Sequence, residues 1–377
     1  MKPLRTYAVL NNLASSLINP FISFFTASYG ITGVLLAIVS SANTTFPGVV
    51  QFILAKIFIK AKRIVEVGEF LTGLLWLLIG SLAVFNSIFV ILYVVITVCF
   101  GVANFGWLLI LDKVSETRRG RILAYYSFYA TIGGFIATLI TGFIVRDNLY
   151  MMRYFFVISG LIYIINSFII SKSDVDVEYK GGKITLTRNS EIKKLFVITF
   201  IFTFIWSMAW PLFPLAQVYK FHMNELQIAI IELISGISTL SLQRVIGRLV
   251  DKSKRLVMFL GRLGLATFPL SYGLATSVYQ IYLAYIISGF TNSASISYTA
   301  FLFDNSSYNE KRVNIALYNM ITGISAFSGS IFSSFLLGIL LTRMNLIMAV
   351  NLMLISIGIL RIISSLLYLK INETVKR

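Results

Sequence analysis

Glu232 is a carboxylate set inside an apolar run, and Ser235, Gly236, Thr239 and Gln243 continue its face at helical spacing. An ionisable side chain in such a run is a functional candidate, because charge facing lipid is costly. Uptake and release of a proton as solvent access changes would use it, and so would recognition of a cationic solute; a hydrogen-bonded structural glutamate is the alternative. A second group is the charged knot GRLVDKSKR at 247–255, with Gly247, Asp251, Lys252, Lys254 and Arg255. A blunter version, AKIFIKAKR at 55–63, lies 192 residues earlier. Other chemistry lacks material. One cysteine, Cys99, and one histidine, His222, allow neither an internal disulfide nor a Cys/His metal cluster. No nucleophile–base pair and no phosphate-cradling glycine loop is evident. The sequence thus reads as a non-enzyme with no cofactor and no metal, and ATP-driven work would need a partner chain.

These residues must be positioned by elements built for lipid. Charged residues make up 12% of the 377, against about 25% in soluble domains. Apolar segments of about 20 residues cross the ~30 Å hydrocarbon core as helices. Such stretches lie near 7–29, 32–58, 66–86, 88–111, 121–145, 150–171, 192–218, 224–247, 256–276, 278–303, 313–341 and 345–369. They are continuously apolar rather than alternating, which excludes a β-barrel. MKPLR and the apolar run after it resemble a signal peptide. NNLASSLINPF interrupts that run with polar residues, so a retained first span is expected.

With the N-terminus inside, 28 of the 32 Lys and Arg residues fall on the inner side, leaving Arg146, Arg153, Lys220 and Arg343 outside. That bias predicts both termini in the cytoplasm of a multi-pass protein of the cell membrane. It also makes the anionic inner leaflet, rather than nucleic acid, the partner of the excess charge. A shift of 192 residues lays Asp112 over Asp304, Ala124 over Ala316, Tyr126 over Tyr318, and Asn19-Pro20 over Pro211-Leu212. The chain therefore reads as a parallel repeat of six spans, bundle 1–171 and bundle 192–377, joined by a cytoplasmic linker at 172–191. The linker alternates and could turn at Gly181-Gly182 as a small hairpin, or be a solvated tether.

GRLVDKSKR resembles the loop signature of the major facilitator superfamily, in which a glycine, an acid and several basic residues follow the second and eighth spans. The resemblance covers the whole chain. Gly247, Asp251, Lys252, Lys254 and Arg255 match the pattern, with Ser253-Lys254 in place of the usual glycine between the basic residues. The first copy departs further: Ala55 and Ile59 replace the Gly and Asp, leaving Lys60, Lys62 and Arg63. The resemblance implies an all-α membrane fold, twelve transmembrane helices as two pseudo-symmetric six-helix bundles that rock about a central cavity. It also implies that Asp251 lies near Gly120 and Arg121, where an acid against a helix N-terminus is favourable. Gly247 is expected to let two helices approach closely. Asp112 and Asp304 are expected to pair with basic residues of their own half.

Polar stripes mark candidate cavity residues: Asn12, Ser15, Ser16, Asn19 and Ser23 on the first span, Asn43 on the second, Asn104 and Trp107 on the fourth, and Tyr126 on the fifth. Trp206, Trp210 and Gln217 mark the seventh, Tyr285 and Asn292 the tenth, and Tyr318 and Asn319 the eleventh. Interhelical hydrogen bonding is the alternative for each. Asn19-Pro20 and WPLFP (210–214) interrupt corresponding spans, as a binding site or as packing kinks. Glu66 and Glu69 are expected to serve the first elbow, Lys62 to be a topological charge, and Arg262 and Arg361 to snorkel or pair. Thr97 stands where drug antiporters of the family carry an arginine, and the fifth span has Gly133, Gly134 and Gly142 but no Gly-Pro pair. The expectation is a monomeric secondary transporter moving a small solute by alternating access, with proton coupling through Glu232 open. A lipid flippase or a non-transporting receptor on the same scaffold is the alternative.

Overall fold

A computed structural model describes residues 2–114, 119–179, 181, 189–306 and 310–373, with the backbone alone at 2, 119–130, 132 and 312. Apolar runs become helices in the expected order: α1 (Pro3–Ser28), α2 (Gly33–Leu54), α3 (Ala61–Leu82), α4 (Ser87–Val114), α5 (Arg119–Val145) and α6 (Leu149–Ser171). After the linker come α7 (Ser190–Lys220), α8 (Glu225–Lys252), α9 (Lys254–Leu274), α10, α11 (Lys311–Leu341) and α12 (Leu346–Lys370). Ten of these segments are long and apolar enough to cross a membrane; α5, with its apolar part Gly133–Val145, and α10 complete the set.

Helices α1 and α7 break at prolines, which lack a backbone donor, whereas α2 runs unbroken through Pro47. Pro20 opens a 3-10 turn, Asn19–Phe21, in α1. In α7 the helix stops at Ser207, resumes for Leu212–Leu215 and closes in a π turn, Ala216–Lys220. Pro211 has no N–H to return, and the Trp210 N–H turns to Ser207 O at 3.0 Å instead. The tenth segment, expected to be continuous over 278–303, is three short helices: Val278–Tyr285, Ser288–Ser293 and Ile296–Asn305. No proline does this. Ser295 Oγ donates to Asn292 O and Ser297 Oγ to Ala294 O, each at 2.6 Å, and such short polar side chains compete for the carbonyls a helix needs.

The chain forms two compact units. The first comprises Met1–Ile31, Phe46–Lys183 and Asn224–Ala229, and the second Thr32–Thr45, Ile184–Met223 and Ile230–Arg377. In the first, α3 packs along α6 and α4, and α1 along α5 and α6. The α3–α6 contact is backbone-close: a Cβ on Gly73 would lie 2.6 Å from Gly160 O, and one on Gly160 would lie 2.8 Å from Gly73 O. Close approach through small residues is how helices gain packing in lipid, where no hydrophobic drive separates them from the solvent. Aromatic rings fill the space beside it, with Trp76 stacked on Phe156 at 5.0 Å and Phe25 edge-on to Phe156 at 5.2 Å. In the second unit α7 packs on α11 and α12, and α9 on α12. Serines tie α11 to α7: Ser325 Oγ donates to Phe200 O at 2.5 Å and Ser330 Oγ to Ser207 O at 3.0 Å.

From Gly182 on, the expected turn at Gly181-Gly182 and the strand after it lie outside the described residues; the described part of the linker pairs with the first elbow instead. β1 (Ile59–Lys60) pairs antiparallel with β2 (Glu178–Tyr179), Ile59 opposite Tyr179 and Lys60 opposite Glu178. The first elbow offers free backbone beside the end of α6, and alternation of the linker supplies the matching side chains. Val175 and Val177 pack on the apolar cluster of Leu4, Tyr7, Ala8, Ala61, Val65, Ile110 and Ile170. Asp176, on the opposite face, accepts from the Lys62 N–H at 3.1 Å, and Tyr179 OH donates to Ala55 O at 3.0 Å. Gly182 lies outside the described residues.

Candidate functional site

The second unit gathers most of the polar candidates. On α8, Glu232, Ser235, Ser238 and Thr239 follow one another at helical spacing and face α10. Asn292 Nδ2 donates to Thr239 Oγ1 at 3.1 Å and to Ser235 Oγ at 3.3 Å. Ser238 Oγ donates to Ile286 O, the carbonyl released at the first break of α10, and accepts from the Gly289 N–H at 3.2 Å. The broken α10 thus gives α8 backbone groups to hold. The Glu232 carboxylate interacts electrostatically with the Tyr272 and Tyr285 hydroxyls. Gln217 Nε2 donates to Tyr272 OH at 2.9 Å, and the Tyr272 and Tyr285 rings meet edge-on at 6.4 Å. Glu232 is exposed.

Beside this face lie two buried guanidinium groups: of the two alternatives expected for Arg262 and Arg361, they find partners inside the protein rather than snorkel. Arg361 is 0% exposed; its terminal nitrogens donate to Leu265 O at 2.6 Å and Trp206 O at 2.5 Å. Both carbonyls are orphans of helix breaks. Leu265 stands four residues before Pro269, which has no N–H, and the Trp210 N–H that would serve Trp206 is used by Ser207. Arg361 therefore splints α7 and α9 to α12. Arg262 sits in an aromatic cage, its Cζ 4.5 Å from the Tyr298 ring, 4.9 Å from Phe202 and 5.3 Å from Trp206, with a 3.5 Å contact to Tyr318 OH. Ring quadrupoles attract the cation where no carboxylate is present. Lys220 similarly closes the end of α9, donating to Tyr272 O at 2.8 Å, Gly273 O at 3.0 Å and Asn351 Oδ1 at 2.8 Å.

The first unit holds a polar network under α1. Glu69, expected at the first elbow, is 1% exposed, and its Oε1 accepts from Tyr7 OH at 2.7 Å and Asn11 Nδ2 at 2.6 Å. The correction has a simple cause. α3 begins at Ala61 rather than near 66, so at 1.5 Å per residue Glu69 lies about 12 Å inside it. The stripe of α1 is half-buried and bonds largely within itself: Asn19 Nδ2 donates to Ser15 Oγ at 2.6 Å and Ser16 Oγ to Asn12 Oδ1 at 3.3 Å. The Trp107 and Tyr7 rings pack at a tilt, with centroids 4.5 Å apart. Asn43 is exposed and Asn104 and Asn319 are half-buried. Trp206 and Trp210 meet edge-on at 5.0 Å. The side chains of Arg121 and Tyr126 lie outside the described residues.

At the second elbow, Lys254 Nζ bridges to Asp304 Oδ2 at 2.9 Å, while Asp251, Lys252 and Arg255 are exposed. Asp251 has no hydrogen-bond or ion-pair partner among the described residues. Asp112 is half-buried at the end of α4. A Cβ built on Gly247 meets nothing within 4 Å; the close helix approach expected there is absent, because no described element packs on that face. What holds each elbow is an acid from beyond the last span of its half. Asp176 caps the start of α3 through the Lys62 N–H, and Lys62 Nζ donates to Ser173 O at 2.7 Å rather than being only a topological charge. Glu373 caps the start of α9 through the Arg255 N–H and through Ser253 Oγ at 3.0 Å. Unpaired N–H groups and the positive end of the dipole make a helix start the natural seat for both carboxylates.

Comparison with known proteins fits this architecture. Among solved structures, the nucleoside transporter NupG superposes with a TM-score of 0.73 at 12% identity, over 98% of this chain and 99% of that one. A POT family transporter in complex with 5-aminolevulinic acid gives 0.75 at 13% identity, over 99% and 96%. The human organic anion transporter MFSD10 gives 0.61 at 11% identity, over 97% and 98%. At such identities the likeness is one of fold. No curated protein matches the chain. The family model of the Major Facilitator Superfamily matches residues 6–183 and 195–376. With twelve helices, two units and charged elbows after α2 and α8, this chain belongs to the major facilitator superfamily and is a secondary transporter, not an enzyme.

Proposed function

We propose that the protein moves a small solute across the cell membrane by alternating access of two six-helix bundles, 1–171 and 192–377, joined by the linker 172–191. It works as a monomer with both termini in the cytoplasm, the orientation favoured by 28 of 32 Lys and Arg residues on one side. The elbows then rest at the anionic inner leaflet. Asp251, Lys252, Arg255 and the Lys254–Asp304 tie form the charged corner that holds the cytoplasmic end closed, with Arg121 and Asp112 as its counterparts in the first half.

The observation that supports transport of a polar solute is the polar face of α8. Glu232 stands there with Tyr272, Tyr285, Ser235, Thr239 and Asn292, which is too many donors and acceptors for a lipid path. We assign Glu232 the coupling proton. The structural relatives guide the solute screen: nucleosides, peptides, 5-aminolevulinic acid and organic anions are the first compounds for a thermal-shift panel on purified protein. Flux in proteoliposomes, with and without a pH gradient, follows for each hit. Glu232→Gln should abolish gradient-driven accumulation while solute exchange persists. Accumulation that still follows the pH gradient in that variant removes Glu232 from coupling.

A further inference from the structure

Glu69 is a buried acid outside the face of α8 described above. Uncharged polar groups approach its carboxyl group. From α1 come Tyr7 OH and Asn11 Nδ2, both on Oε1 at 2.7 and 2.6 Å. From α6 come Tyr163 and Asn166 as neighbours. From α4 come the Ala103 and Cys99 backbone, against which Gly68 is pressed. No lysine or arginine among the described residues forms an ion pair with it.

The hydrogen-bond accounting is lopsided. Oε1 takes two donors, while Oε2 is buried with no partner. An ionised carboxylate sealed in this way would leave half of its charge uncompensated, which burial penalises. Asn166 is equally one-sided. Its Nδ2 donates to Tyr7 O at 3.2 Å, and its Oδ1 is a buried acceptor that receives nothing. A proton on Oε2 removes the charge of the carboxylate. We infer that Glu69 is a second proton-binding site of this transporter, carrying its proton on Oε2.

The site borders the polar stripe of α1, where Asn11 binds the carboxyl group and Asn19 donates to Ser15 at the Asn19–Phe21 break. Loss of the proton from Oε2 would leave a bare charge between Tyr7 and Asn166 and pull new donors from α1 or α6. This inference deepens the proton-coupling reading above, but its test needs neither solute nor flux, so either can fail alone.

Infrared spectra of the full chain in lipid vesicles supply the test. A protonated carboxyl has a C=O stretch that moves on exchange from H2O to D2O. That band should be present in the wild type and in Glu232→Gln and lost in Glu69→Gln, which keeps the shape and the Oε1 contacts. A band that survives Glu69→Gln unchanged overturns the inference.

Discussion

Replacing Arg361 by methionine tests the splint that joins α7, α9 and α12. Methionine keeps much of the buried volume and removes the charge, so the change isolates two hydrogen bonds to Leu265 O and Trp206 O. Hydrogen bonds from a charged donor contribute about 1.5–3 kcal/mol each, and a buried carbonyl left alone costs about 1–3 kcal/mol. Relief from burying the charge offsets part of this, so a net loss of about 2–5 kcal/mol is expected. Unfolding of the purified protein in mixed micelles by SDS, followed by circular dichroism, measures it. The decisive control is Pro269→Ala. It restores an N–H four residues after Leu265 and so supplies from the backbone what Arg361 supplies from its side chain. In the Arg361→Met background it should recover about 1 kcal/mol or more, while in the wild type it should recover nothing, a coupling in the range of about 0.5–3 kcal/mol seen for groups sharing one network. An Arg361→Met protein within about 0.5 kcal/mol of wild type, or a Pro269→Ala effect equal in both backgrounds, refutes the reasoning.

Other expectations rest on single contacts. Gly160→Val should force α3 from α6, because the new Cβ would lie 2.8 Å from Gly73 O; little folded protein should elute on size exclusion. Glu373→Ala should strip the cap from α9 and lower stability by about 1 kcal/mol, with the C-terminal segment becoming sensitive to carboxypeptidase before the rest of the chain. Asp251→Asn should weaken the cytoplasm-closed state, and unchanged inward and outward populations in cross-linking assays would end its gating role.

Apolar runs and prolines made most of the fold legible. Continuous hydrophobicity places every helix to within a few residues, and Pro20, Pro211 and Pro214 mark breaks where a donor is missing. What sequence reading missed shares one physical trait: the partner is a backbone group or a residue far along the chain. Arg361 serves two carbonyls, and a carbonyl has no letter in the sequence. Pro269 was the available signal, since a proline inside a span orphans the carbonyl four residues before it and a buried arginine elsewhere can answer. Glu69 meets Tyr7 and Asn11 some 62 and 58 residues away, and an error of five residues in where α3 starts was enough to move it from the elbow to the interior. The breaks of α10 have no proline and are written in SGFTNSAS, whose small polar side chains also satisfy ordinary helix packing, so pattern alone does not separate the two outcomes.

The elbows show why charge in a loop is a poor guide to what holds the loop. Read alone, the basic residues of AKIFIKAKR and GRLVDKSKR invite a search for acids on neighbouring helices. The bonds that fix the two turns are carboxylates on backbone N–H groups: Asp176 on the start of α3 and Glu373 on the start of α9. Each acid follows the last span of its own half, so both halves close their third helix by the same device although the first copy has lost its Gly and Asp to Ala55 and Ile59. Loss of the signature from the first elbow therefore does not leave that turn unsupported. Its support moved to the linker, where β2 adds a strand and Val175 and Val177 add apolar contact. At the second elbow the Glu373 cap and the Lys254–Asp304 bridge leave Asp251, Lys252 and Arg255 exposed. The gating role proposed for this corner needs charges free to make and break contacts, and these three meet that need.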